Sequence, residues 1–476
     1  MIIVAYGNLE LLDICLRHKI LDIIGILAIF SVLYLSAVRP SAKLNKLMEH
    51  IVIIGNGISG ITAARHIRKL SDHRITVISG ESDYFFSRTA LMYVYMGHMK
   101  WDHLQPYENW FWEKNRIELK KAWVEQIDFD KKKLRFSSGE PLGYDKLVIA
   151  TGSIYNKFGW EGEELDGVQG LVTKQDLIEL EENTAFTKKA VIIGGGLIGV
   201  ELAEMLRTRN IEVTFLVREE AFWSNVLPLP EAKMISEHIS SHGVDLRHHT
   251  ELEKIIPDED GRVKAVRTKG GEEIECQLVG LCAGVRPNID FLKDSDLETD
   301  KGILVNEFLE TNIPEVYAIG DCAQQRTAIG LRKPVEAVWY TGRIMGETLA
   351  KTLTGDRTAY QPGNWFNSAK FFDIEYQTYG WVWAKPKENE QHFHWRHETD
   401  LKAITISYNT ETNEFLGINT FGIRMRQEIF DLWLNENRKI DHVLANLKLA
   451  NFDPEFYDSH EKEIFESFKN NLQETK

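Results

Sequence analysis

The period of the apolar positions changes several times along this chain, and each change marks an element. His50-Ile-Val-Ile-Ile54 is a continuous apolar run, the pattern of a strand buried on both faces of a parallel sheet. Gly55-Asn56-Gly57-Ile58-Ser59-Gly60 follows, then a helix-forming stretch over residues 61–70 and a second strand over Arg74–Ser79. The same order returns later. Ala190-Val-Ile-Ile runs into Gly194-Gly195-Gly196-Leu197-Ile198-Gly199, a helix is predicted over residues 198–209 and a strand over 212–217. After Gly355 the pattern becomes aromatic-rich, with Trp365, Phe366, Phe371, Phe372, Tyr376, Tyr379, Trp381 and Trp383. Strand-like stretches over 391–396, 401–408 and 414–421 come next, with a turn at 409–413 and helices over 424–437 and in the polar tail. Alternation broken by turn residues reads as antiparallel sheet. The chain therefore reads as α/β through its first two thirds and as a small α+β unit at its end.

The two glycine segments give this pattern a chemistry. Each sits between a buried strand and a helix, and each is followed by a second strand and an acid, Glu81 and Glu219. That is the strand, G-x-G-x-x-G, helix, strand, acid arrangement of Rossmann-like dinucleotide sites. The first glycine (Gly55, Gly194) makes the tight turn, and the second (Gly57, Gly196) lets backbone approach a pyrophosphate. The third (Gly60, Gly199) lets helix and strand pack closely. The free N–H groups of the helix N-terminus favour the phosphate charge, and the acid accepts ribose hydroxyls. Two such segments imply two dinucleotides. Arg218 adjoins Glu219. An acid favours NADH and an arginine can take the 2′-phosphate of NADPH, so the pair leaves both open and leans to NADH.

Length and composition narrow the setting. At about 100–200 residues per domain, 476 residues suggest about three domains. A net charge of −15 makes nucleic acid a poor partner. Cys15, Cys276, Cys282 and Cys322 form no disulfide framework, C-x-x-C or zinc spacing, and a reducing, cytoplasmic setting fits. His392 and His394 share one face of a predicted strand, but no carboxylate or cysteine is placed to complete a site, so no metal is expected. Residues 1–47 differ from the rest. The apolar run 23–38, ended by Arg39-Pro40, is shorter than the ~20 residues a span needs. It is either an extension ahead of a start at Met48 or a short anchor on the inner face of a membrane, with residues 20–38 inserting.

Further short motifs carry a family resemblance. Leu147-Val-Ile-Ala-Thr151-Gly152 ends a strand, Val279-Gly-Leu-Cys-Ala-Gly284-Val-Arg-Pro-Asn288 closes the second unit, and Ala318-Ile-Gly-Asp321 follows later. With the two glycine segments these resemble the two-dinucleotide flavoproteins of the pyridine nucleotide-disulfide oxidoreductase type. The resemblance implies FAD as cofactor, NADH or NADPH as cosubstrate, and a discontinuous FAD domain (48–160 and 285–356). It places an NAD(P) domain (161–284) within that domain and a C-terminal α+β domain (357–476) after it, with a possible homodimer. It implies cofactor contacts at Thr151, Gly152 and Gly284. It puts Asp321 by the flavin's ribityl–phosphate region, beside a helix near 335–349. Glu201 would orient the nicotinamide against the flavin.

The branch is read from Tyr84-Phe-Phe-Ser-Arg88-Thr-Ala-Leu-Met-Tyr93. Disulfide reductases of this type carry cysteine there, and this chain has none, so no thiolate relay is expected. The segment is similar instead to that of rubredoxin and ferredoxin reductases and the FAD/NAD part of nitrite reductases, where an arginine matching Arg88 contacts FAD. Relatives of the ferredoxin type often place a lysine near the position of Tyr93, paired with the helix glutamate, and this chain departs from them there. Three acceptor readings follow: a small iron redox protein, a quinone or oxygen at the membrane, or a redox-responsive binding protein with incidental turnover.

Overall fold

The computed structural model describes residues 48–474 apart from 454, 456 and 457. The expected extension or anchor in residues 1–47 lies outside them. Among the described residues no helix is long and apolar enough to cross a membrane.

His50–Ile54 forms the centre of a five-stranded parallel sheet, flanked by Arg74–Ser79 and Lys146–Ile149, with Ile117–Lys121 and Val316–Ala318 at the edges. Ile51, Val52 and Ile53 are wholly buried, which explains the unbroken apolar run: helices and loops cover both faces. A second five-stranded parallel sheet is built around Lys189–Ile193, with Glu212–Leu216, Val244–Arg247, Leu278–Leu281 and Val168–Gln169. Strand Val316–Ala318 then rejoins the first sheet. The chain leaves the first sheet, builds the second and comes back.

Helices Ile58–Leu70 and Leu197–Thr208 follow the two glycine turns, within a few residues of the predicted bounds. The helix expected near 335–349 instead runs Trp339–Leu353. The preceding segment carries an Arg332–Glu336 ion pair of 3.1 Å, 8% and 9% exposed, and Pro334 O accepts from Gln325 N rather than from a following helical N–H. Trp339–Leu353 packs closely on Ile58–Leu70. A Cβ on Gly342 would lie 2.5 Å from Ser59 Oγ, and one on Gly346 2.6 Å from Ser59 O.

The C-terminal region is a five-stranded antiparallel sheet of Phe366–Phe371, Ile374–Gly380, Phe415–Phe421, Ala403–Asn409 and Glu390–Arg396, in that order. The first two strands were not anticipated. Its aromatic residues divide between two cores. Phe393, Trp395, Phe415, Phe430 and Trp433 fill its own, whereas Phe371, Tyr376 and Phe421 join Phe215 and Phe222 of the second unit.

Candidate functional site

Both glycine turns have the same three-part construction. Gly55 and Gly194 adopt φ of +114° and +108°, and a Cβ there would meet Ala150 O at 2.1 Å and Ala283 Cα at 2.6 Å. Any other residue would therefore be strained and would clash. Gly60 and Gly199 face inward, each with its own turn's first carbonyl oxygen within 2.7 Å of a would-be Cβ. Gly57 and Gly196 face open space: nothing lies within 4 Å of a Cβ at Gly57, and only Cys282 O, at 3.9 Å, at Gly196. Both are helix N-caps without a side-chain cap, and neither helix has an acid in its first turn. Their N–H groups thus meet no acid from their own first turn. These cradles, which a side chain would fill, fit pyrophosphates.

A cavity of about 630 Å³ extends from the first turn toward the second unit. Of the residues singled out from sequence, Gly55, Gly57, Glu81, Arg88, Thr151, Gly152, Glu201 and Asp321 line it. Gly60, Gly194, Gly196, Gly199, Arg218, Glu219 and Gly284 do not. Gly60 is turned into the helix packing, and the others belong to the second turn and its neighbouring strand ends. Leu197, Ile198 and Glu201 carry the second unit's helix into the cavity wall, so one space touches both units.

The charged residues are interlocked. Glu81, expected to face a ribose, accepts two hydrogen bonds from Arg88, at 2.8 and 2.6 Å, and one from Lys174 N at 2.8 Å. Such forked pairs fix geometry as well as charge. Burial works against the Arg88 charge, but Glu81 outweighs it and holds the guanidinium above its ordinary range. Asp321 accepts from Ser153 Oγ at 2.9 Å. Burial pushes its carboxyl up, and Ser153 and Arg88 pull it back. Glu201 is pushed up to about 7, first by burial and then by the nearby Glu204 carboxylate, while Lys370 opposes the rise.

Sequence reading missed several wall residues. Asn56 ties the first turn to the loop after the second strand through Ser82 O and Oγ, both at 3.1 Å. Ser153 holds Asp321. Trp123, 55% exposed, lines the cavity over Gly80, where a Cβ would come within 2.1 Å of the indole. A small residue after a strand was the one available signal for it. Among the described residues no cysteine lines the cavity. Burial pushes the Cys276 and Cys282 thiols up to about 12 and raises that of Cys322, whose Sγ donates to Ile149 O and Ile319 O.

Two parallel-sheet units, each with a glycine turn built for a pyrophosphate and both reaching one cleft, define a two-dinucleotide redox protein. The chain belongs to the pyridine nucleotide-disulphide oxidoreductase family, whose profile matches residues 49–342. That family is FAD-dependent and uses NAD(P)H. The chain is 29% identical over 293 residues to an assimilatory nitrate reductase electron transfer subunit of Bacillus subtilis, covering 60% of this chain and 38% of that one. It is 31% identical over 324 residues to a rubredoxin-NAD(+) reductase of Acinetobacter baylyi, covering 65% of this chain and 80% of that one. It thus spans about two-fifths of the Bacillus relative. A ferredoxin reductase structure from Rhodopseudomonas palustris superposes with a TM-score of 0.72 at 24% identity, covering 86% of this chain and 96% of that one.

Proposed function

We propose that the protein takes electrons from NAD(P)H through bound FAD and passes them to a small iron redox protein of the rubredoxin or ferredoxin kind. The observation that carries this reading is one cavity whose wall joins the first glycine turn and Asp321 to Glu201 of the second unit, with no cysteine among the described residues facing it. A cleft of this kind supports transfer between two dinucleotides. The lack of a thiol in its wall favours an external acceptor over a disulfide relay.

In this reading 48–160 with 285–356 hold FAD, 161–284 holds the nicotinamide nucleotide, and 357–476 forms the third domain. Gly55, Gly57 and Gly60 receive the FAD pyrophosphate. Asp321, Thr151, Gly152 and the Glu81–Arg88 pair border the rest of it, and Gly284 closes the second unit. Gly194, Gly196 and Gly199 receive the second pyrophosphate. Bound FAD would supply hydride acceptance and onward electron release. Glu201 orients the nicotinamide, and in its ionised form favours the positive charge that ring gains as hydride leaves. Arg218 Nε donates to Glu219 Oε1 at 2.9 Å, and Glu219 is the better covered of the two, 21% against 71% exposed. This supports NADH over NADPH, since an arginine committed to an acid is a poorer phosphate ligand.

The test is NADH oxidation by the FAD-loaded protein with rubredoxin, a [2Fe–2S] ferredoxin, a soluble quinone or oxygen as acceptor. The reading expects an iron protein to raise turnover at least about tenfold above oxygen alone. Equal rates with all acceptors, or a quinone preference, would sink the iron-protein assignment.

A further inference from the structure

Glu201 does not stand alone on its helix. Glu204 follows three residues later on the same face; Glu201 lines the cavity and Glu204, 14% exposed, lies one turn on from it. Facing them from a different part of the fold is Lys370, on the first strand of the C-terminal sheet, Phe366–Phe371. Its Nζ lies 2.7 Å from Glu204 Oε1 and 5.6 Å from the centre of the Tyr93 ring. Glu204 is 14% and Lys370 36% exposed. The lysine is not a loose surface arm. The next residue, Phe371, is fully buried and packs edge-on against Phe222 and Trp223 of the second unit, at 5.9 and 5.8 Å between ring centres. The strand that carries Lys370 is thereby pinned to the unit that carries Glu201.

We propose that Lys370 is a positioning residue of the redox site: through its ion pair with Glu204 it sets the charge of Glu201, and so makes the C-terminal domain part of the reaction's electrostatics. The physical argument is one of charge balance. Two carboxylates a helical turn apart in a poorly solvated wall oppose each other's ionisation. A cation in direct contact with one of them cancels its field at the other. Among the described residues, Tyr93 from the helix Leu91–Tyr95 and Cys282 after the strand Leu278–Leu281 also adjoin the trio. The Cys282 thiol, held up at about 12, stays neutral. Lys370 is therefore the cation that faces the two acids.

The inference rests on the reading that Glu201 acts beside the nicotinamide, but its test reads charge rather than turnover. In oxidised, FAD-loaded protein without NADH, the Glu201 carboxyl is titrated by infrared difference against Glu201→Gln. Lys370→Met is expected to move the Glu201 midpoint upward by about one pH unit, Lys370→Arg to restore it, and Glu204→Gln to lower it. An unmoved midpoint in a folded Lys370→Met protein overturns the proposal. Should that variant fold poorly, Lys370→Gln, which keeps most of the side chain's volume and none of its charge, is titrated instead, and an unmoved midpoint there overturns the proposal equally. Failure of the parent reading looks different: Glu201→Gln would reduce flavin at the parent rate while the midpoint still moved with Lys370.

Discussion

Glu201 gains its character from where its side chain ends, not from its residue type. A carboxyl that ionises near 7 changes charge in the range where an enzyme works, and hydride loss leaves the nicotinamide positively charged. The ionised form should then speed the step, so the rate of flavin reduction by NADH should rise as pH climbs through about 7. In Glu201→Gln the profile should be flat and the rate above that range about tenfold lower, equivalent to ~1.4 kcal/mol. Stopped-flow reduction across pH checks this, and an unchanged pH rise in the variant would remove Glu201 from the role. The thiols give the opposite expectation. Cys276, Cys282 and Cys322 are buried and none lines the cavity. Replacing all three by serine should leave NADH-driven dye reduction within about twofold of the parent while costing some thermal stability, because each buried hydroxyl needs a partner. A collapse of rate at normal FAD content would mean a thiol takes part.

At the scale of elements, the contact between helix Leu229–Ser241 and the C-terminal sheet carries its own titration. Glu231 is wholly buried near the start of that helix and accepts from Asn419 Nδ2 at 2.8 Å, while its second oxygen finds no protein partner. Burial pushes its carboxyl up to about 8, and the neighbouring Thr405 and Asn419 side chains pull it back down. The folded protein thus keeps a proton that the unfolded chain releases near 4.5. The resulting stability is fully present below the unfolded value and is lost as pH rises through about 8. Glu231→Gln, neutral at every pH, should melt close to the parent at about pH 5 and several degrees above it at about pH 9. Parallel melting curves across that window would show that Glu231 ionises elsewhere.

Across the whole molecule, two bodies line one cleft and a third packs behind it: the first sheet supplies Asp321 and the first glycine turn, the second unit supplies Glu201, and the C-terminal sheet brings Lys370 to Glu204 outside the lining. The first strand begins at His50 and the family match at residue 49, and these contacts are made by residues after Met48. A chain beginning at Met48 should fold, bind one FAD and oxidise NADH at the full-length rate. Loss of flavin in that protein would show that the preceding residues belong to the working unit. Membrane fractionation of the full-length protein alone would revive the anchor and quinone readings.

The sequence by itself determined the two glycine turns, the strands and helices beside them, and the pairing of the two units with dinucleotides. Those features follow from steric needs of adjacent residues: a positive φ at Gly55 and Gly194, bare backbone at Gly57 and Gly196, an apolar run where a strand is covered on both sides. Only the tertiary structure decided the rest. Glu81 turned out to be clasped by Arg88, the helix after Glu336 starts only at Trp339, and strand Phe366–Phe371 carries too little alternation to be read. The Lys370–Glu204 pair joins residues 166 apart in the chain. No local pattern encodes such a contact, because ion pairing depends on which distant strand packs against the helix, and that is set by the burial of Phe371 rather than by the charges themselves.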